Sequence, residues 1–310
     1  MIPKFPEFKK LELSDREEVE AFTSKYPPYS DFNFTSLWSW TLDSDAMICM
    51  LNENFVIRFR DYLTGAPFLM FLGEKLVNDT TDALIDYSIE TIQMPSLQLI
   101  PHCVTQMLDT SRFAFEDDRD NSDYIISVQR IRTYDGRDYA HKRREVSRFT
   151  RLHDQFDFRT LDLTDKDVEK AIYGLFSMWL SGKGSGRTLD EEREFLAFQR
   201  FLESPLKREI LATGIYINDV IGAFWLLEDL HNGYSISHFE KADTEKFPGI
   251  FAYLKKQTAG LLDDRNVRFI NLEQDLGIPG LRQSKLSYFP EDQLNKYCVT
   301  RRSHSTIAKV

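Results

Sequence analysis

The sequence predicts a mixed α/β protein of two consecutive halves, 1–150 and 151–310, and three observations predict it. Its 310 residues, 42% of them hydrophobic, suffice for two ordinary cores. Runs of alternating polarity are interleaved with stretches of helical periodicity, so each half holds both strands and helices. The order helix, helix, three strands, helix, strand, helix, strand can also be read twice, although the letters do not repeat.

Ser14-Asp-Arg-Glu17 has the form of a capping box and predicts a helix to about Lys25, ended by Pro27 and Pro28. Asn33 to Leu42 predicts a second helix with Phe34, Leu37 and Trp38 on its core side. Strands follow over 46–51, 55–60 and 67–72, the first two joined through Asn52-Glu-Asn54. A helix over 79–93, a strand over 97–100, a short helix to Thr110 and strands over 112–115 and 124–130 complete the first half. The acidic run Glu116 to Asp123 between the last two strands reads as a solvated hairpin loop.

A connector from Arg130 to Arg151 carries eight Lys or Arg against three acids, a local balance of +5, and predicts a helix from Tyr139 that buries Val146 and Phe149. Helices over 165–180 and 188–202 open the second half, the latter with the capping box Thr188-Leu-Asp-Glu191. Three strands over 209–217, 220–228 and 233–239 follow, with Asn218-Asp219 as a hairpin turn. A helix over 247–264, a strand over 267–271, a short helix over 280–285 and a strand over 295–300 end the chain.

Composition excludes several classes. A net charge of −10 argues against indiscriminate binding to nucleic acid, DNA included, or to anionic membrane, although a local patch could still do either. No apolar run is long enough for a transmembrane segment, and the opening Met-Ile-Pro-Lys-Phe-Pro-Glu lacks the apolar middle of a signal peptide, so a cytoplasmic location is expected. Cys49, Cys103 and Cys298 are expected as reduced thiols, and the six histidines show no metal-ligand spacing, so no metal is expected. Gly182-Lys-Gly-Ser-Gly-Arg187 fits neither glycine-rich nucleotide fingerprint and reads as a mobile loop or, alternatively, as a flap over the cleft.

The chemistry-bearing stretch is Asn271-Leu-Glu-Gln-Asp-Leu-Gly-Ile-Pro-Gly-Leu-Arg-Gln-Ser-Lys285. Asn271, Glu273 and Asp275 alternate, so on an extended chain they would share one face. Gly277 and Gly280 give freedom for a turn, and Arg282 and Lys285 would share one side of a helix. Spacing leaves two readings open, a capped turn with surface ion pairs or a site. Glu240 and Lys241, at the end of a strand, read either as a structural pair or as groups that handle a proton and stabilise negative charge. Lys142, Arg143 and Arg144 read either as a phosphate grip or as a solvated face.

That stretch, with Tyr-Pro-Pro-Tyr-Ser-Asp-Phe-Asn-Phe-Thr-Ser-Leu-Trp-Ser-Trp (26–40) and His-Phe-Glu-Lys-Ala-Asp (238–243), resembles the DUF2156 family. DUF2156 proteins are related to the C-terminal catalytic domain of phosphatidylglycerol lysyltransferase and carry two tandem acyltransferase folds of the GNAT type, as FemABX peptidoglycan aminoacyltransferases also do. The resemblance implies a non-catalytic first half and an active site in the second, where two splayed strands expose amides to an acyl carbonyl. It implies that Glu240, Glu273 and Asp275 position the acceptor and act as base, and that Lys241, Arg282 and Lys285 stabilise charge. Lys142, Arg143, Lys246 and Gly249 would hold donor phosphates, with His238, Asn271 and Tyr288 lining the substrate. Acyl-CoA enzymes of this type usually carry Gln/Arg-x-x-Gly-x-Gly/Ala; here Lys246-Phe-Pro-Gly-Ile-Phe251 ends on a bulky residue.

The function these residues imply is an acyltransferase of the aminoacyl-tRNA-dependent type, moving an aminoacyl group to a small amine or hydroxyl acceptor. No tightly bound cofactor is expected, the donor being aminoacyl-tRNA, held by its acceptor end, or acyl-CoA. The alternatives are a CoA-dependent N-acetyltransferase of a small amine and a catalytically silent binding protein.

Overall fold

The computed structural model describes residues 1–41, 46–61, 64–182, 188–230 and 232–302. The expected loop at Gly182–Arg187 therefore lies, beyond its first residue, outside the described residues.

In chain order the first elements are β1 (Lys9–Lys10), α1 (Arg16–Thr23), α2 (Phe34–Trp40), β2 (Met47–Leu51), β3 (Asn54–Arg60), β4 (Pro67–Leu72), α3 (Val77–Ile92), β5 (Ser96–Pro101), α4 (His102–Thr105) and β6 (Phe113–Asp117). Next come β7 (Asp123–Ser127), α5 (Val128–Thr133), α6 (Ala140–Leu152), β8 (Phe156–Leu161), α7 (Lys166–Gly182), α8 (Leu189–Glu203), β9 (Ile210–Ile217), β10 (Val220–Asp229) and β11 (Tyr234–Ala242). The chain ends with α9 (Ile250–Asp264), β12 (Phe269–Asn271), α10 (Pro279–Leu286), β13 (Asp292–Leu294) and β14 (Lys296–Arg301). The class is the expected mixed α/β one, sheets flanked by helices.

Two compact units form, and neither is a continuous half. The first comprises Met1–Lys25, Asp43–Ser122 and Leu294–Val310; the second comprises Tyr26–Leu42 and Asp123–Gln293. The expected cut at residue 150 is thus corrected. In the first unit β14, the last strand of the chain, is inserted between β5 and β6, while β1-β2-β3-β4 form a separate antiparallel sheet. In the second, β7 from the first half is inserted between β12 and β13 of a seven-stranded sheet ordered β13-β7-β12-β11-β10-β9-β8. Each half lends one strand to the other's sheet.

This exchange also corrects the acidic hairpin. β6 and β7 lie in different sheets, so Glu116 to Asp123 is a crossover, and Asp123 is fully buried. The expected strand over 124–130 stops at Ser127, whose hydroxyl caps α5 by accepting from the Arg130 N–H. β8, which the sequence reading missed, pairs along β9 from Phe156↔Ile217 to Leu161↔Ala212. The first capping box is Glu12…Asp15, two residues before the expected Ser14…Glu17, whereas Thr188…Glu191 forms as read. Asn218 and Asp219 both adopt positive φ (49° and 63°), as a two-residue turn between β9 and β10 requires.

The second unit's sheet is covered on both faces. Adjacent residues of β10 point oppositely: Phe224 stacks on Phe198 of α8 at 5.6 Å, and Trp225 turns to the side where Lys255 of α9 lies over its ring. Burying each such large side chain contributes about 2–3 kcal/mol.

Candidate active site

The site begins where two neighbouring strands part. β11 and β12 run parallel through Tyr234↔Phe269, Ser235↔Ile270 and Ile236↔Asn271, and there their register ends. β11 continues, pairing with β10 as far as Ala223↔Ala242. Ser237–Ala242 therefore has β10 as its strand neighbour on one edge, and the opposite edge opens beyond the end of β12. A register break between Leu226 and Leu227 of β10 places a bulge beside His238.

Charge is concentrated there. Lys255 is 2% exposed, its ammonium ion-paired with Glu240 and lying 4.0 Å from the Trp225 ring centroid and 5.1 Å from that of Tyr288. Burial pushes this amine below its ordinary value, with Glu240 opposing. Lys142 of α6 covers the same Tyr288 ring at 4.2 Å. Tyr288 is itself buried, its phenol raised well above the ordinary value by burial.

Lys285 reaches back from α10 to donate to the carbonyl oxygens of Leu272 and of Gln274, the latter at 2.6 Å. Desolvation lowers its pKa to about 8, with Glu273, Glu240 and Asp123 opposing. An ammonium has three N–H donors, and the two carbonyls use two; the third has no acceptor among the described residues.

Beside it lies a buried polar network anchored by α2. Asn33 caps that helix through Oδ1, which accepts from the Ser36 N–H at 2.8 Å, and its Nδ2 donates to Glu228 Oε2 at 2.8 Å. Glu228 also meets His238 Nε2 at 3.0 Å. His238 Nδ1 faces Glu273 Oε1 at 3.7 Å, and Ser36 Oγ donates to that same oxygen at 3.1 Å. Burial alone would lower the imidazole, but the two carboxylates outweigh it and raise the pKa to about 9. Asn271 is fully buried, donating to the Pro28 carbonyl at 2.7 Å and to Asp123 Oδ2 at 3.2 Å, and Ser30 holds both Asp123 oxygens.

The 271–285 stretch is not an extended alternation. β12 ends at Asn271, and Glu273, Leu276 and Gly277 take positive φ (59°, 54° and 72°), so the chain coils and the three polar side chains part company. Asn271 turns to Pro28 and Asp123 and Glu273 to Ser36 of α2, whereas Asp275 becomes the centre of a clamp. It is bound by Arg282 Nε and Nη2, both at 2.8 Å, by the Tyr124 hydroxyl and by the Gly277 N–H at 2.9 Å. Burial would raise this carboxyl, yet those donors bring it down to about 2. Asp275 and Arg282 hold the turn that presents Lys285.

Other expected participants are engaged elsewhere. Lys241 alternates away from Glu240, its ammonium 2.5 Å from Glu194 Oε1 and within 4.7 Å of the Phe176 and Trp179 rings. Arg143 donates to the carbonyls of Tyr134 and Gly136. Gly249 has φ +90°, and a Cβ there would sit 2.2 Å from the Glu145 carbonyl oxygen of α6. The N-terminus of α9 is thus covered by α6, and Lys246 lies outside with its amine 5.2 Å from the Phe247 ring. Lys142, Arg143, Lys246 and Gly249 do not form one phosphate cradle.

Sequence reading missed Lys255, Glu228, Asp123 and Tyr124. It also gave no role to Ser30, Asn33 and Ser36, although their spacing of three on polar positions of the quoted 26–40 run was a visible signal. Among the described residues no group of His, Cys, Asp and Glu is arranged to hold a metal ion, and no helix is long and apolar enough to cross a membrane.

A sheet parted at a parallel pair, with buried cations and acids at the opening, defines the class: an acyltransferase-type α/β fold. Within it, residues 23–300 match the family described as phosphatidylglycerol lysyltransferase, C-terminal, and the chain belongs to that family. No curated protein gives a significant sequence match. Among solved structures, a conserved protein of unknown function from Bacteroides thetaiotaomicron is similar over 97% of this chain and 100% of that one, with 24% identity and a TM-score of 0.83. The C-terminal DUF2156 domain of a putative lysylphosphatidylglycerol synthetase from Agrobacterium fabrum aligns over 94% and 92%, with 12% identity and a TM-score of 0.62. L-PGS from Bacillus licheniformis aligns over 98% and 95%, with 15% identity and a TM-score of 0.58. At these identities the likeness concerns the fold.

Proposed function

We propose that this protein transfers an aminoacyl group from the ester of an aminoacyl-tRNA to an amine or hydroxyl acceptor, in the opening between β11 and β12. The observation that carries the reading is buried Lys255, ion-paired with the partly exposed Glu240 beside Lys285 at that opening, for a charge is kept out of water only at a cost that folding alone does not require. The ester carbonyl lies against the free edge of β11, where backbone N–H groups and the third Lys285 N–H meet the developing oxyanion. Lys255 holds Glu240 Oε2, leaving Oε1 to take the acceptor's proton. The acceptor atom bonds to the carbonyl carbon, the ester C–O bond breaks, and the ribose hydroxyl departs with a proton. His238, cationic at neutral pH, orients Glu273, which lines the acceptor side.

A tRNA ester is favoured over acyl-CoA because α6 covers the α9 N-terminus, where a pyrophosphate would need free amides. Thermal shift tests the donor directly: a non-hydrolysable 3′-aminoacyl-adenosine analogue should raise Tm, since a ligand that binds only the folded state stabilises it. Stabilisation by acetyl-CoA and not by the analogue would overturn this donor assignment.

A further inference from the structure

We infer that the outer face of α6 is the surface on which the RNA backbone of the donor docks; the inference rests on the aminoacyl-tRNA reading and adds to it the place of contact. Arg144, Arg148 and Arg151 stand at i, i+4 and i+7 of this helix, so they form one stripe about 10 Å long. All three are exposed, and their side chains make no ion pair or hydrogen bond among the described residues. In a chain of net charge −10, whose other cations are so often paired, three unpaired guanidiniums in a row are a local field that complements a polyanion. The single acid of α6, Glu145, is drawn toward Lys142 at 3.1 Å and does not neutralise the stripe.

A further feature favours RNA over a lipid surface. A helix that lies in a bilayer interface needs an exposed apolar face, but here Phe149 is buried against Tyr253 of α9 at 5.3 Å, the outward residues His141, Ser147 and Thr150 are polar, and Leu152 at the last position is an isolated exposed apolar side chain rather than a face. Guanidiniums bind phosphate bidentately, which suits backbone contacts that position without reading sequence. The inner side of the same helix carries Lys142 over Tyr288 at the opening. Docking on α6 therefore places one end of a bound RNA beside Glu240 and Lys285.

The test uses the full chain and an R144Q/R148Q/R151Q variant, with uncharged labelled bulk tRNA followed by fluorescence anisotropy. Wild type should bind with an affinity that falls steeply with salt; the variant should bind at least about tenfold more weakly, its log–log salt slope shallower by about 2 to 3 for three lost phosphate contacts. Equal affinity and slope for the two proteins would overturn the inference. So would loss of binding to phosphatidylglycerol/phosphatidylcholine vesicles in the variant with tRNA binding unchanged, which would make α6 a lipid contact. Donor turnover separates this from the activity. Release of the amino acid from a short aminoacylated oligonucleotide, too small to reach the outer face of α6, should be equal in both proteins. Turnover retained with no arginine-dependent tRNA binding refutes the docking surface alone, and arginine-dependent binding with no turnover of any aminoacyl ester refutes the activity alone.

Discussion

The two compact units bury very different interiors. In the first, the buried polar groups are mostly neutral, such as Asn54, Thr80, Thr81 and Ser88; its buried charges among the described residues are Asp15, answered by Lys9 at 2.8 Å, and Lys296. In the second, Asp123, Glu228, His238, Lys241, Lys255 and Asp275 are all under 9% exposed, and several surround the point where β11 and β12 part. Ionised groups are costly to desolvate, so a core that needs only cohesion uses apolar or neutral residues. Under the function proposed above, the reaction belongs to the second unit, where these charged groups are gathered.

The sharpest way to break that contrast is to remove charge from each unit in turn. Glu240→Gln or Lys285→Met should lower transfer by about 10²–10³-fold with the fold retained, the scale expected when one preorganised charge is lost at the reacting centre. Asp86→Asn, which removes an exposed partner of Arg301 in the first unit, should leave transfer unchanged. Equal losses in both units, measured as donor turnover, would erase the distinction.

Next in size is a stability effect that the site's scaffold predicts. Gly249→Ala combines a left-handed backbone with a Cβ driven into the Glu145 carbonyl, so α6 and α9 must separate. Denaturant unfolding should show a loss of about 2–4 kcal/mol, on the scale of other overpacked or strained core positions.

Two pH experiments sharpen the comparison further. His238 has its folded pKa raised to about 9, so its contribution is fully present below its ordinary value near 6.5 and is lost as pH rises through 9. That loss amounts to at most about 3 kcal/mol and should be absent in His238→Gln. Lys285 acts oppositely: its pKa is lowered to about 8, so its burden on stability lifts between about 8 and its ordinary 10.5, partly offsetting the histidine. Asp275, lowered to about 2, stabilises above its ordinary 3.8 and loses about 2 kcal/mol of that as pH falls through 2, an acid limb that Asp275→Asn should remove.

How far the sequence foretold this follows from what each signal is. Periodicity and caps are local, so most helices and strands were legible within a few residues, as with Thr188…Glu191 and the Asn218-Asp219 turn. The exchange of β7 and β14 was not, because a strand's own pattern names the face it buries and never the sheet it joins. At the site, Glu273, Asp275, Arg282 and Lys285 stood out as charges around a turn, but their division of labour depends on the positive φ at Glu273 and Leu276. Lys255 stayed hidden because a lysine in an amphipathic helix ordinarily reaches water; only the fold shows it beneath Trp225 and Tyr288.

The central claim, that the opening beside β12 performs acyl transfer, is tested most directly by incubating the protein with aminoacyl-tRNA and following release of the amino acid to water or to added amines. Wild type should accelerate release, and Glu240→Gln, folded and still able to bind tRNA, should not. Release no faster than in buffer, or undiminished in Glu240→Gln, would contradict it.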